Sequence, residues 1–328
     1  MQFRTLGKTG FNISAISLGT WQVGGKWGSA FDEKNADVIL NTAVDNGVNF
    51  IDTADVYSDG ESEKAIGRFL KTRKEKLFVA TKCGRQIQPH VNEGYTPAVL
   101  RKYVEDSLKR LQIETIDLIQ LHCPPTAVYY RPEIFGLFDD LKKEGKIQHL
   151  GVSVEKVEEA LKAIEFDNVT TVQIIFNMFR QRPAEMFFEQ AKKKNVGVIV
   201  RVPLASGLLT GNYSAQTVFE SGDHRQFNRN GEAFDKGETF SGIDYATGLQ
   251  AVEELKQIVP AGKTLAALAL KWILDFDAVS TVIPGASKPE QVTRNLEALN
   301  ETSLSSEQLQ QVQAVYEKYI KASVHHLW

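Results

Sequence analysis

Short apolar runs rich in valine, isoleucine and leucine alternate along this chain with longer segments whose apolar positions recur every three to four residues. Runs of the first kind read as strands and segments of the second as helices, so their order predicts repeated βα units. Eight strands are expected, at 15–18, 48–52, 77–82, 116–122, 148–153, 171–176, 196–201 and 279–283. Several show no polar alternation, as expected of parallel strands covered on both faces. Between them, 97–111 reads as a helix with Thr96 as N-cap and Pro97 at its first position. In 154–164, Val157, Ala160, Leu161 and Ile164 recur at helical spacing. Ahead of the first strand, 3–6 and 12–14 flank Gly7, Lys8, Thr9 and Gly10, which predicts a hairpin closing the floor of a barrel. One stretch breaks the rhythm: 211–242 is rich in Gly, Asn and Asp, lacks periodicity and is too long for an ordinary connection. It follows the seventh strand, which puts it on the active-site face of a parallel barrel. No polar linker divides the chain, so one domain over residues 1–328 is expected.

The pattern places chemistry at strand ends. Asp52, Lys82 and His122 each close an apolar run, and Tyr57 follows Asp52 by five residues. Strand alternation puts Phe50 with Asp52, Ala80 with Lys82, and Gln120 with His122 on common faces. Each polar residue therefore tops an inward column, and in a closed parallel sheet all four groups meet at one mouth. Asp52 and Lys82 on neighbouring strands can pair, which offsets the cost of burying either charge. By itself that pair reads equally well as a barrel-mouth salt bridge. With a phenol and an imidazole added, it points to proton exchange with a carbonyl or hydroxyl.

Composition narrows the partners. A net charge of −3 and the lack of a basic stripe argue against nucleic acid. No apolar run is long enough to span a bilayer, and the N-terminus has no signal-peptide pattern, so a soluble cytoplasmic protein is expected. Cys83 and Cys123 give neither a disulfide framework nor metal-ligand spacing. They follow Lys82 and His122, which suggests proximity to each other and to the site. His90, His149, His325 and His326 lack strand-end context and read as surface residues. No G-x-G-x-x-G opens a helix, so a Rossmann site is unsupported.

The segments 47–54 with Tyr57, 80–82, 117–122, 151–153, 203–211 and 283–287 together resemble the aldo-keto reductase superfamily over nearly the whole chain. The nearest resemblance is to its bacterial stress-response and inositol-operon branch. The resemblance implies an α/β fold, a (β/α)8 TIM barrel with an N-terminal hairpin floor and a long loop after strand seven. It implies hydride transfer between NADP(H) and a small carbonyl substrate. Tyr57 would be the general acid, Lys82 held by Asp52 would lower its pKa, and His122 would orient the carbonyl oxygen. By the same resemblance Gly19, Thr20 and Trp21 lie near cofactor and substrate, and Ser153 and Gln173 near the carboxamide. Pro203, Leu204, Ser206 and Leu208 line the pyrophosphate side. Gly285 begins the turn after the last strand, Ser287 and Lys288 take the ribose phosphate, and Gln291 and Asn295 lie nearer the adenine. Asp52 counts among the cofactor contacts as well. Trp21, Trp27, Tyr57 and His122 would wall the substrate pocket, with Trp328 read as packing.

Two positions depart from the family's pattern. Val154 stands where many members have Asn, and Arg201 where many have a Tyr that stacks on the nicotinamide. Arg201 would then stack on that ring or turn to the pyrophosphate. The leading reading is an NADPH-dependent carbonyl reductase. The alternatives are NADP-dependent oxidation of a sugar or polyol, inositol among them, and a cofactor-binding regulatory subunit. Oligomeric state is not encoded legibly.

Overall fold

The computed structural model describes residues 1–25 and 30–328. A two-stranded antiparallel hairpin, β1 (Phe3–Thr5) and β2 (Asn12–Ser14), precedes the main sheet. That sheet runs in strict sequence order: β3 (Leu18–Gly19), β4 (Phe50–Asp52), β5 (Phe78–Cys83), β6 (Ile116–His122), β7 (Ile147–Ser153), β8 (Val169–Ile175), β9 (Gly197–Arg201) and β10 (Val279–Val282). All neighbouring pairs are parallel. Parallel bridges from Ile16 to Val282 and from Gly19 to Gly285 join first strand to last, so the sheet closes into a (β/α)8 barrel. The first strand is shorter than its apolar run suggests, with Ile16 making only an isolated bridge.

Helices α1 (Glu33–Asp45), α2 (Glu61–Leu70), α3 (Pro97–Leu111), α4 (Pro132–Lys143), α5 (Val157–Ala163) and α6 (Phe187–Lys193) connect consecutive strands. After β9 come α7 (His224–Phe227), α8 (Tyr245–Lys256) and α9 (Leu265–Leu274), and after β10 come α10 (Pro289–Leu296) and α11 (Ser306–Val315). Helix α3 starts and ends where its pattern predicts: the Thr96 hydroxyl accepts from Val99 N, and Gln112 in the left-handed region ends it. Helix α5 begins later than its apolar spacing suggests. The Glu159 carboxylate accepts from Glu155 N and Lys156 N, which fixes the start at Val157.

The core has two parts. The shell between strands and helices holds the outward residues of each strand, including Cys83. Inside the barrel, Phe50, Phe78, Ala80, Leu118 and Ile199 form the lower layers, and Leu6 and Ile13 of the hairpin region plug the floor beneath them. Above this apolar plug the inward columns turn polar. Among the described residues no helix is long and apolar enough to cross a membrane.

Candidate active site

Six barrel strands, β4 to β9, deliver the polar layer. Lys82 and Gln120 are register partners, as are His122 and Ser153, Ser153 and Gln173, and Ile175 and Arg201. The Lys82 ammonium, essentially unexposed, donates to Asp52 Oδ1 at 2.5 Å, Thr53 O at 2.8 Å and Tyr57 Oη at 3.2 Å. All three of its protons are thus used, which is what a buried ammonium requires. The second carboxylate oxygen of Asp52 accepts from Gln173 Nε2 at 2.7 Å and Gln120 Nε2 at 3.0 Å. Gln173, read from the sequence as a carboxamide contact, therefore also anchors the acid. Gln120 was not singled out by its pattern at all, although it shares the inward face of His122. Gly151 makes room for it: a Cβ there would lie 2.1 Å from Thr171 Oγ1 and 3.2 Å from Gln120 Cγ.

Tyr57 begins a tight turn in which Ser58 and Asp59 adopt left-handed backbone, swinging the phenol over the barrel mouth. Burial raises its pKa, the Lys82 charge pulls it back, and Asp52 raises it again; the net is upward. The phenol accordingly keeps its proton at neutral pH. For Lys82, burial pushes down but Asp52 and Tyr57 outweigh it, so the ammonium stays charged. His122 lies edge-on to the Tyr57 ring at 6.0 Å between centroids. Burial, then the nearby Arg85, Lys82 and Arg201 charges, hold its pKa well below the usual range, so the imidazole is neutral. Its Nδ1 is buried and has no partner among the described residues.

A cavity of about 670 Å³ opens over these groups, lined on one side by Trp21, Val56 and Phe234 and on the other by polar and charged side chains. Trp21 lies near-parallel to Tyr57 at 6.3 Å and packs on His224 and Phe234 of the segment after β9. Trp27 lies outside the described residues. Trp328 packs against Arg180, whose guanidinium sits 4.1 Å from its ring. His90 is exposed, as expected, at the edge of the cavity, and meets Tyr95 Oη at 2.7 Å.

The 211–242 segment is not a featureless loop. Asp223 caps α7, Asn228 Oδ1 accepts from Ala233 N and Phe234 N, and Asp235 caps the turn at Gly237. This brings Glu238 to the cavity, where it meets Arg85 Nη1 at 2.9 Å and Arg201 Nη1 at 3.7 Å. Arg201 also donates to Glu155 Oε2 at 2.9 Å and Val154 O at 3.0 Å. Its guanidinium is thus held in a carboxylate network, a third arrangement beside the ring stacking and pyrophosphate contact expected from the sequence. Burial drives Glu155 upward, toward the neutral acid. For Glu238, burial is outweighed by Arg85 and Arg201, which hold it down and ionised. Cys123 Sγ, Glu155 and Glu238 come within 4.8 Å of one another, but the arginines already hold these carboxylates and burial drives the thiol pKa up. Arg85, Glu155 and Glu238 were missed in the sequence. Arg85 lies three residues past Lys82 and Glu155 two past Ser153, so proximity to strand ends was the available signal.

The two cysteines part. Because Lys82 points inward, Cys83 faces the helices and away from its expected place beside the site, while Cys123 lines the cavity as expected and contacts Ser153 Oγ at 3.5 Å and Arg201 at 3.6 Å. Burial raises both thiol pKa values, which removes the thiolate character that oxidation needs.

At the cofactor side, Gly19 bridges Gly285, and Thr20 Oγ1 donates to Asp52 O. Thr20 and Leu208, expected beside the cofactor, have no exposed surface. Ser206 Oγ donates to Glu238 O and accepts from Phe240 N, tying the segment down beside Pro203 and Leu204. At α10, the Gln291 side-chain oxygen accepts from Ser287 N, Ser287 Oγ and Lys288 N. Gln291, expected nearer the adenine, is thus also a helix cap. Asn35 Nδ2 holds Ser287 O at 3.1 Å, Asn295 is nearly buried, and Lys288 is exposed with no ion pair among the described residues. A cation and a hydroxyl at a helix N-terminus fit a phosphate group.

Comparison with known proteins agrees with this geometry. The Aldo/keto reductase family model matches residues 15–317. Aldo-keto reductase YhdN of Bacillus subtilis is 31% identical, the match covering 99% of this chain and 96% of that protein. The NADH-specific methylglyoxal reductase of Escherichia coli is 29% identical, with 90% and 92% covered. The structure of the glycerol dehydrogenase AKR11B4 from Gluconobacter oxydans superposes with a TM-score of 0.79 at 31% identity, covering 97% of this chain and 96% of that one. On barrel, strand-end chemistry and full-length similarity together, the chain belongs to the aldo/keto reductase family, whose oxidoreductases reduce carbonyls.

Proposed function

We propose that this protein is an NADPH-dependent reductase of aldehydes and activated ketones, with Tyr57 as the group that protonates the carbonyl oxygen. The observation that carries the reading is the contact chain Asp52–Lys82–Tyr57, at 2.5 and 3.2 Å. A nicotinamide cofactor, when bound, supplies the hydride. Tyr57 supplies the proton: its phenol is protonated at neutral pH, and the adjacent ammonium favours the phenolate left after transfer. His122, neutral, hydrogen-bonds the carbonyl oxygen and fixes its approach. Asp52, held by Gln120 and Gln173, keeps the ammonium aimed at the phenol. Ser287 and Lys288 would hold the ribose phosphate, and Trp21 would flank both cofactor and substrate.

The reverse reaction, oxidation of a sugar or polyol, is the second reading. It is favoured by the polar wall of the cavity and by similarity to a glycerol dehydrogenase. The same tyrosine serves as base in that direction. The test is NADPH oxidation against a panel of small carbonyls and NADP+ reduction against polyols, with Tyr57→Phe alongside. Tyr57→Phe keeps the ring and is expected to retain cofactor binding while kcat falls by about 10² or more. Near-normal kcat in that variant removes Tyr57 from the role.

A further inference from the structure

Arg85, in the lining of the cavity, has donors not consumed by the described residues. Arg85, on the loop after β5, spends Nη1 on Glu238 Oε1 at 2.9 Å and lies 5.5 Å from the Phe234 ring. It forms no other hydrogen bond among the described residues, although a guanidinium offers five N–H donors in a planar fork. Glu238 is an incomplete counter-ion, because its other oxygen faces Arg201 at 3.7 Å. Arg201 has Glu155 as its second partner, and burial drives that carboxyl toward its neutral form. Two guanidinium groups thus share Glu238 and Glu155 at the wall of the cavity, whose lining also includes Glu159, Asp235 and Lys156. Arg85 is also the nearby charge that, after burial, contributes most to keeping His122 neutral.

We propose that Arg85 is a specificity residue that binds an anionic substituent, carboxylate or phosphate, on the carbonyl substrate, so that the site selects acidic aldehydes and ketones over neutral ones. The inference rests on the carbonyl-reductase reading and goes further by naming the substrate class. An unfilled bidentate fork suits both anions, and a charge-assisted hydrogen bond is strong where water is largely excluded. A neutral analogue would leave the free donors of that fork without an anionic partner.

The test compares 4-oxobutanoate with its amide, and glyceraldehyde 3-phosphate with glyceraldehyde, as substrates for the wild type, Arg85→Gln and Arg85→Lys. The wild type is expected to favour each anion by about tenfold or more in kcat/KM. Arg85→Gln is expected to bring both ratios close to one, and Arg85→Lys to restore part of the preference, since it returns charge without the fork. Equal turnover of anion and neutral partner by the wild type overturns the proposal while leaving the reductase reading intact. So does an equal loss on both partners in Arg85→Gln, which would make Arg85 only a tie for Glu238. Calorimetric titration of the NADPH-loaded protein with succinate and succinamide reads the same preference without turnover. Succinate binding no better than succinamide, or equally well in Arg85→Gln, overturns the proposal whatever the activity.

Discussion

Lys82 is a fully buried ammonium, and its surroundings explain how a barrel can carry one. Asp52 answers its charge, two glutamines answer Asp52, and Tyr57 takes the remaining proton. Removing either partner leaves the other stranded, at a cost of roughly 3–5 kcal/mol. Lys82→Met is therefore expected to lose stability as well as nearly all turnover. Any residual activity should persist to higher pH, because the phenol loses the charge that lowers its pKa. Asp52→Asn also costs stability by leaving the ammonium without its counter-ion, but it keeps the charge beside Tyr57, so a smaller fall in kcat is expected. A pH–rate profile of both variants decides: equal, mild losses would leave the pair a structural salt bridge. Asp52, Lys82 and His122 were legible in the sequence because period-two alternation fixes which residue tops each column, whereas Tyr57, in the turn after β4, was marked only by its spacing from Asp52. Arg85 and Glu238 were not, because they meet across 153 positions and one of them sits in a segment without periodicity.

At the scale of elements, the strands after the first and α3 follow their sequence pattern closely, whereas the segment after β9 does not announce its order. It is assembled from side-chain-to-backbone caps at Asp223, Asn228 and Asp235, which are local and leave no hydrophobic period. The start of α10 shows the same limit. The sequence marks a helix with Pro289 at its first turn, but not that Gln291 has already engaged the N–H groups of Ser287 and Lys288. A phosphate arriving there competes with Gln291 for the backbone and meets the Lys288 side chain unopposed. Lys288→Ala is thus expected to weaken NADPH binding about tenfold and to leave NADH nearly unchanged. Fluorescence titration with both cofactors checks this, and equal losses would place the phosphate elsewhere.

For the whole molecule, stability carries a signature from Asp55. Both its carboxylate oxygens are buried without a partner among the described residues, and burial, reinforced by Glu63, pushes its pKa up to about 8. The folded state therefore holds a proton that the unfolded chain releases near pH 4. Stability falls as pH rises through that window and levels off above it. Asp55→Asn removes the titration, so its melting temperature relative to wild type is expected to climb between pH 5 and 8. The shift amounts to at most about 1.4 kcal/mol per pH unit. A difference that stays flat with pH would show that Asp55 is not protonated in the fold.

The bridges from Ile16 to Val282 and from Gly19 to Gly285 carry a consequence for how the protein comes into being. Asp52, Tyr57, Lys82 and His122 all lie within the first 122 residues, yet the ring that gathers them cannot shut before residue 285 is made. At ordinary rates of synthesis that interval is roughly ten to thirty seconds. Throughout it the growing sheet has two open edges and a lysine whose burial is incomplete, both of which invite mispairing with other chains. These four groups are translated well before the ring that gathers them can close.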